Sequence, residues 1–454
     1  MAASSVIVER GDAHTLSMFT KLGWGVGSIG IATSAITVNI MLLTFMVTIL
    51  GVEPSVAGAI VAGVRVLDIF VDIMVGTWSD RTISRWGRRR PWLLAGSVCS
   101  FLALNLLFSA PSFITPRTSP VYMSAALIFF YAAYSIFTVP YMAMPVEMSD
   151  SRQERTLLMS VRAGFLSVGG LIGVGLGPAL IGWFGQGGPA YSKMALGMSA
   201  VVFVAMVTSF LTTRGARTLA PADAMRPKMS LDLLRTRSFA CLLASKFLAL
   251  FAVSINATMM LLFHSLITQR GPAGVALVGL VSSIAALLFL PVWLRLARHV
   301  PKRWLYIAAM VIFSIAMASW SLSGPRESNG WFYLRAIAAG VGSGAITFLS
   351  GALLPEAIED DRRRSGIFRE GTLAGMFIAT EKTAFAAAPL VAGLILSMTG
   401  FRGGLGAAGG AQSTAATLGV LLAASIVPAC AALIGILPAL GAPRATGSDD
   451  IRQA

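Results

Sequence analysis

The chain has 454 residues, of which 56% are hydrophobic and only 12% are charged, and its formal net charge is +15. A water-soluble domain carries about 25% charged residues to keep its surface wetted, so this composition excludes a soluble enzyme, a disordered chain and a disulfide scaffold. It predicts a polytopic protein of the plasma membrane, which in a bacterium is the inner membrane.

In chain order, twelve apolar runs are each long enough to cross a bilayer, which takes roughly 20 residues of helix. The sequence therefore predicts an all-α membrane protein with twelve transmembrane helices. The predicted spans are 19–50, 54–79, 91–111, 119–146, 154–183, 190–213, 238–269, 273–297, 303–323, 330–355, 371–400 and 412–441.

The distribution of the 35 Lys and Arg residues predicts which ends of the spans face the cytoplasm. When alternate loops are assigned to opposite sides, 24 of these residues fall on one side, five fall on the other and six lie within spans. Because Lys and Arg are enriched in cytoplasmic loops, both termini are expected in the cytoplasm. The same loops account for the basic net charge, so the bilayer is an expected partner and nucleic acid is not.

The longest polar stretch divides the predicted spans into two groups of six. We expect a cytoplasmic N-terminal segment, a first six-helix bundle, a cytoplasmic central loop, a second six-helix bundle and a cytoplasmic tail. These five segments cover residues 1–18, 19–213, 214–237, 238–441 and 442–454.

The second span contains three ionisable side chains, in the run RVLDIFVD. Ionisable groups inside a membrane span are costly and indicate function. Spacings of three and four place Arg65, Asp68 and Asp72 on one face of the helix. Two carboxylates so close together and shielded from water must share a proton, bind a cation or pair with a base, as a coupling-ion site requires. The alternative is a packing ion pair between Arg65 and one aspartate, which leaves the second carboxylate unexplained.

The same helix continues into the loop GTWSDRTISRWGRRRPW, residues 76–92, where Gly76 would allow a close helix contact and Asp80 would end the helix. Any cytoplasmic loop is rich in such arginines. The spacing G-x3-DR-x3-R-x-GRRRPW nevertheless matches the loop between helices two and three of the major facilitators, where an aspartate and arginines latch the two halves at the cytoplasmic gate. The gate residues implied by the resemblance are Gly76, Asp80, Arg81, Arg85, Gly87 and Arg88, with Arg155 and Arg369 from two later motifs.

Three further segments strengthen this resemblance. They are KLGWGVGSIG near the N-terminus, YSIFTVPYMAMPVEMSDSRQERTLLMSVRAGF at residues 134–165 and LPEAIEDDRRRSGIFREG at residues 354–371. Together with RVLDIFVDIMVGTWSDRTISRWGRRRPW they resemble the glycoside–pentoside–hexuronide:cation symporters, the melibiose permease family of the major facilitator superfamily. The resemblance covers nearly the whole chain. It implies the major facilitator fold, in which two six-helix bundles rock around a midplane cavity.

The resemblance implies a secondary active transporter that imports a sugar, glycoside or related small organic solute together with H⁺ or Na⁺. It implies no cofactor and no metal centre, and the architecture suffices as a monomer. A membrane enzyme or a sensor is disfavoured, because the sequence contains neither HExxH nor GxSxG and its loops are short. Within transport, a carrier of lysolipids or other amphiphiles and a proton-coupled efflux carrier remain alternatives.

The resemblance also assigns roles residue by residue. Asp68 and Asp72 match the aspartates of the family's cation site, and Ser135 falls where helix four supplies a hydroxyl ligand. Lys382 matches a lysine of helix eleven that lies near that site. The residues assigned to the solute cavity are Arg65, Tyr134, Thr138, Met142, Arg162 and Glu381.

Three positions depart from the sugar-transporting members of the family. Ala32 stands where helix one has an acidic residue, Thr138 where helix four has a sugar-binding aspartate, and Met142 where a tryptophan follows. A carboxylate that accepts two sugar hydroxyls is a main determinant of sugar specificity, so galactoside transport is not expected. The more apolar cavity suits a lipophilic glycoside, a terpenoid or steroid-like acid, or a lysolipid.

The nature of the coupling ion is open between H⁺ and Na⁺. Val71 stands where the family's cation site often has an amide, so one oxygen ligand for sodium is missing, and we favour the proton. Lys382 could compete with the proton for the two aspartates and reset the site after release.

Two other ionisable side chains inside the predicted spans have open roles. Glu381 pairs with Lys246 or Lys21, or lines the cavity. Arg335 is either a cavity cation or a snorkelling side chain near the outer face.

Overall fold

The computed structural model describes residues 16–111, 114–149, 151–185, 187–214, 237–365, 370–403 and 412–441. In these residues the regular secondary structure is entirely helical, as the sequence predicts. Most of the central loop and of both chain ends lies outside the described residues, so the division into five segments stays a prediction.

Long helices follow one another along the described chain. They are α1 Met18–Ile49, α2 Pro54–Arg81, α3 Arg90–Phe108, α4 Ser119–Met148, α5 Arg152–Phe184, α6 Gly188–Thr212, α7 Arg237–Leu266, α8 Gly271–Leu296, α9 Lys302–Ser319, α10 Asn329–Ser365, α11 Glu370–Met398 and α12 Thr414–Ala439. The last five residues of α1 and a turn within α12 have π-helical geometry. Helices α2, α3, α4, α6 and α8 each have a proline in their first turn, where its missing N–H costs no hydrogen bond.

Eleven of the helices in the described residues are long and apolar enough to cross a membrane. The helix that falls short is α2, which contains Arg65, Asp68 and Asp72. The chain is therefore a multi-pass membrane protein, as its composition predicts. The second predicted span coincides with α2, and the twelve-span topology with both termini in the cytoplasm stays a prediction.

The helices pack as two groups that follow the chain. In the first half, α1 packs against α5 and α6, and α3 packs against α4 and α6. In the second half, α10 packs against α8 and α9, and α7 packs against α11 and α12. The halves meet along α2 and α11, along α5 and α8, and along α1 and α7. These six helices surround the region where the halves meet, which we call the central space.

The halves approach closely at the end of the bundle where α2 begins and α11 ends. A Cβ on Gly58 would lie 2.5 Å from the carbonyl oxygen of Pro389, so the approach of the two backbones depends on glycine. At the same end Ser397 Oγ donates a hydrogen bond to Glu53 Oε1 over 3.0 Å. Hydrogen bonds from Ser55 and Ser397 hold the pKa of the Glu53 carboxyl below its usual value. We call the end of the bundle where α2 begins and α11 ends the closed end.

At the opposite end of α2 the neighbours belong to the same half. A Cβ on Gly76 would meet Val139 of α4 at 3.6 Å, an ordinary contact, so the close helix contact expected at Gly76 is absent in this conformation. The helix ends at Arg81, one residue beyond Asp80. On α11 the Glu381 side chain is 47% exposed. The space between the halves therefore opens towards this end, which we call the open end.

The tight contact at the closed end gives a stability prediction. Gly58→Ala should destabilise the protein by roughly 1–3 kcal/mol, because the added methyl group overpacks α2 against α11. The matched control is Gly63→Ala on the same helix, where a Cβ would meet nothing within 4 Å. Thermal unfolding in detergent should show a lower melting temperature for the first variant and no loss for the second. Equal melting temperatures would contradict the contact.

Candidate functional site

Side chains from three helices converge on the two aspartates of α2. Ser135 Oγ of α4 lies 2.9 Å from Asp68 Oδ1 and 2.6 Å from Asp72 Oδ1. Lys382 Nζ of α11 donates to Asp68 Oδ2 over 2.8 Å and also to Asp72 Oδ2. One hydroxyl and one ammonium are thus shared by two carboxylates. The structure brings together the four residues that the sequence groups as a coupling-cation site.

Helix geometry explains why the two aspartates act as a pair. Asp68 and Asp72 are one turn apart, so their carboxylates point from the same face of α2. The Asp68 side chain is only 8% exposed, whereas Asp72 and Lys382 are 29% and 28% exposed. Since α2 and α11 belong to different halves, the ion pairs of Lys382 connect the halves directly.

Arg65 does not neutralise these aspartates, so the packing ion pair that the spacing left open is wrong. Its guanidinium lies over the rings of Tyr131 and Phe385, at 5.1 and 5.7 Å from their centroids. The Nε atoms of Arg65 and Arg162 are buried and have no hydrogen-bond partner. Both guanidinium groups are near enough to the Tyr134 hydroxyl to act on it electrostatically. The three residues therefore border one region of the central space.

The positions where sugar-binding side chains are replaced contribute little polarity. Thr138 Oγ1 donates to the Tyr134 carbonyl of its own helix over 2.7 Å. Met142, one turn further along that face, is 40% exposed. Ala32 is 9% exposed, and a Cβ on Gly169 of α5 would meet it at 3.0 Å, so it lies in the packing of α1 against α5. These residues provide no carboxylate for a sugar hydroxyl.

The partner of Glu381 is Lys246. Lys246 Nζ lies 3.1 Å from Glu381 Oε2, donates to the Phe377 carbonyl over 2.9 Å and sits over the Phe377 ring. Its side chain is 1% exposed, so the charge of Lys246 is compensated inside the second half, while Glu381 faces the central space. Lys21 instead pairs with Glu154 over 2.9 Å.

Arg335 is not a cavity cation. It pairs with Glu327 and donates to Ser323 Oγ over 2.5 Å, close to the start of α10. Its side chain is 10% exposed. The residue is accounted for by this local ion pair.

The gate motif forms a charge cluster within the first half. Asp80 pairs with Arg89, and Glu147 at the end of α4 accepts from Arg88 Nη2 over 2.7 Å and from Arg89 Nε over 2.8 Å. Ser79 Oγ accepts from Arg89 Nη1 over 2.5 Å. Sequence reasoning missed Arg89 and Glu147, although an acidic residue beside the end of span four was a usable signal.

The remaining predicted gate residues occupy varied positions. Arg81 and Arg85 are exposed, and the Arg85 guanidinium lies 5.1 Å from the centre of the Trp86 ring. Gly87 has a φ of +92°, which favours glycine at this turn. Arg155 Nε donates to the Ser149 carbonyl over 2.7 Å. Arg369 lies outside the described residues.

The cluster gives a second stability prediction. Glu147→Gln should cost about 3 kcal/mol, because it leaves two largely buried guanidinium groups without their shared carboxylate. The control is Glu359→Gln, whose exposed pair with Arg363 should contribute less than about 1 kcal/mol. Thermal unfolding in detergent compares the two. A loss no larger than that of the control would contradict a structural role for the cluster.

Two helical halves around a charged central space define a membrane transporter. The fold matches a bacterial homologue of the human lysosomal transporter Spinster, solved inward-facing and unoccupied, with a TM-score of 0.67 and 13% identity. The match covers 94% of this chain and 97% of that one. Residues 23–440 match the family model for MFS/sugar transport proteins. The chain belongs to this family of major facilitator transporters, which confirms the resemblance, and it is not an enzyme.

Curated relatives extend the similarity along most of the chain. The uncharacterized symporter YnaJ of Bacillus subtilis is 26% identical over 422 residues, which cover 92% of this chain and 90% of the relative. The isoprimeverose transporter of Lactiplantibacillus pentosus is 22% identical over 375 residues, which cover 80% and 77% of the two chains.

Proposed function

We propose that the protein is a proton-coupled symporter that carries a small organic solute across the plasma membrane by alternating access. The solute is a glycoside or a related organic compound, in keeping with the isoprimeverose transporter among the relatives. The proposal includes α2 as a twelfth span and places both termini and the loop after α2 in the cytoplasm. The open end then faces the cytoplasm and the closed end faces outside.

The observation that carries the proposal is the bridge from Lys382 in the second half to Asp68 and Asp72 in the first. A tethered ammonium here occupies the place of a coupling cation. With Lys382 bound and one proton on the pair, the two carboxylates are compensated without a further ion from solution, which suits the empty carrier as it reorients. A cation that binds the aspartates must displace Lys382, so ion binding and the contact between the halves are linked.

Displacement of Lys382 also explains why solute and ion move together. A further proton, on the second aspartate, leaves the Lys382 ammonium without a carboxylate partner in a space that must lose its water when the carrier closes. Enclosing an uncompensated charge is costly. A bound solute that interacts with the ammonium lowers this cost, so closure with a proton and no solute is disfavoured.

The ligands around Ser135 favour a proton over sodium. A serine hydroxyl has a single proton and donates it to one carboxylate at a time. The second short contact, with Asp68 or Asp72, is satisfied when a proton lies on that carboxylate and is donated to the Ser135 oxygen. Sodium prefers several oxygen ligands, and Val71 supplies none.

The test is solute-driven proton movement in proteoliposomes. Glycosides, uronates, organic acids and lysolipids are added outside while external pH is recorded, with sodium or choline salts at equal ionic strength. A symporter alkalinises the medium on addition of its solute, equally in the two salts. Uptake that requires sodium would overturn proton coupling, and acidification by a solute gradient would favour efflux by antiport.

A further inference from the structure

The central space contains positively charged hydrogen-bond donors that have no acceptor within the protein. Arg65 and Arg162 both border the space near Tyr134, and the Nε of each is buried with no partner. In the described part of the chain, neither arginine forms an ion pair with a carboxylate, and neither has an interaction with an undescribed residue. Arg65 contacts aromatic rings instead.

The nearby carboxylates are already engaged. Asp68 and Asp72 share Lys382, and Glu381 compensates the buried Lys246. Each of these three carboxylates has a lysine partner, although two of them share one lysine, and the two arginines have no carboxylate partner. Four cations therefore face three carboxylates, a surplus of one positive charge, or of two when one aspartate is protonated. Guanidinium groups bind carboxylates and phosphates through paired, charge-assisted hydrogen bonds.

The chemistry of the two unpaired guanidinium groups favours a ligand group that only accepts hydrogen bonds over a sugar ring. A guanidinium group only donates hydrogen bonds, whereas a sugar hydroxyl both donates and accepts. Thr138 donates to its own helix, and Ala32 is packed against α5, so neither provides the carboxylate that a sugar hydroxyl would use. A carboxylate ligand, in contrast, only accepts.

The surroundings of the arginines suit an apolar ligand body. The Arg65 guanidinium lies over the rings of Tyr131 and Phe385, and both arginines are near enough to Tyr134 to act on it electrostatically. Met142 continues the same face of α4 as Tyr134, two turns away, and is 40% exposed. Aromatic and thioether side chains adapt to flat or irregular apolar surfaces.

We propose that the transported solute is an organic anion with an apolar body, whose carboxylate binds between Arg65 and Arg162 beside Tyr134. This inference rests on the proposed transport function, because it names the substrate class of the same central site. The anion compensates the arginine charges, and its apolar body lies along Met142 and the aromatic rings.

The test measures equilibrium binding to the full chain in phosphatidylcholine nanodiscs by calorimetry. Matched probes share an apolar body, and a neutral amide replaces the carboxylate in one of each pair: 2-naphthoate against 2-naphthamide, and abietate against abietamide. A neutral glycoside, 2-naphthyl β-glucoside, and an anionic lysolipid, lysophosphatidylglycerol, complete the set. A preference for abietate over the lysolipid identifies a soluble acid as the source of the anion, and the reverse order identifies a lipid.

At least one acid should bind about tenfold more tightly than its amide, as expected for a charge-assisted contact. Arg65→Gln and Arg162→Gln should each remove most of that preference and leave amide binding nearly unchanged, while Arg65→Lys keeps part of it. Arg117→Gln is the matched control, because Arg117 is an exposed loop residue. A merely structural role of the arginines would weaken acid and amide alike.

Equal binding of acid and amide to the wild type, or binding by the glucoside alone, would overturn the anion site, as would failure of every acid to bind. The outcomes separate this inference from symport itself. Proton movement driven by the glucoside, with no acid bound, would leave symport standing and remove the anion site. Acid binding that depends on both arginines, with no proton movement for any solute, would support the anion site and overturn proton symport.

Discussion

Asp68→Asn and Asp72→Asn should each abolish solute-driven proton movement and reduce concentrative uptake about 10- to 150-fold, the value of one charged hydrogen bond. Asparagine keeps the volume of aspartate but cannot ionise. With one carboxylate left, the repulsion between two neighbouring carboxylates, which favours proton binding to the pair, is lost, and Lys382 holds the remaining carboxylate alone. The measurement is initial uptake into proteoliposomes under an imposed pH gradient, with external pH recorded in parallel.

The controls for this experiment separate coupling from folding. Each Asn variant should bind solute in detergent and retain the melting temperature of the wild type within a few degrees. Glu359→Gln, at an exposed carboxylate of α10, should transport normally. Concentrative uptake by either aspartate variant at the wild-type rate would exclude the pair as the coupling site.

Lys382→Gln should separate net transport from exchange. Without the tethered ammonium, nothing replaces the proton on the two aspartates when it leaves, so the empty carrier would have to reorient with uncompensated carboxylates. Net concentrative uptake should fall roughly tenfold or more, because charges buried without a partner are costly. Solute exchange should continue at nearly the wild-type rate, because exchange needs no empty carrier.

The measurement compares net uptake with counterflow of labelled solute in the same vesicles. Lys382→Arg keeps a cation at the bridge and should restore part of the net uptake. Lys193→Gln, a lysine near the closed end whose ammonium lies over the Phe184 ring, is the control for removing a lysine and should change neither rate. An equal loss of exchange and net uptake in Lys382→Gln would argue for a structural role of the bridge.

Lys382 and Arg65 show where sequence reasoning reached its limit at the site. The spacing of Asp68 and Asp72 required them to share a helix face, and the family resemblance brought Lys382 and Ser135 to them. Spacing alone permitted Arg65 as the partner, yet the structure turns Arg65 towards Tyr131 and Phe385. Which cation reaches the aspartates depends on how α11 is rotated against α2. The spacing of residues along each helix does not specify that rotation.

The gate and the second half show the same limit. Glu147 lies 58 and 59 residues from Arg89 and Arg88, so their ion pairs depend on the packing of α3 against α4. The sequence leaves Glu381 a choice between Lys246, Lys21 and the cavity. The pairing with Lys246 depends on how deep α7 and α11 lie relative to each other, because the two residues are 135 positions apart in the chain. Asp80, Arg88 and Arg89 of the sequence motif pair within the first half in this open conformation.

The sequence by itself determined the membrane class, the positions of the helices, the paired aspartates on one helix face and the family. These properties follow from local chemistry: a bilayer demands long apolar helices, helix geometry aligns residues four apart, and motifs are contiguous. Only the tertiary structure decided the bridge of Lys382 between the halves, the unpaired arginines and which end of the central space is open. Those features depend on how helices distant in sequence rotate and slide against each other, because packing and ion pairing act between surfaces that the linear order does not bring together.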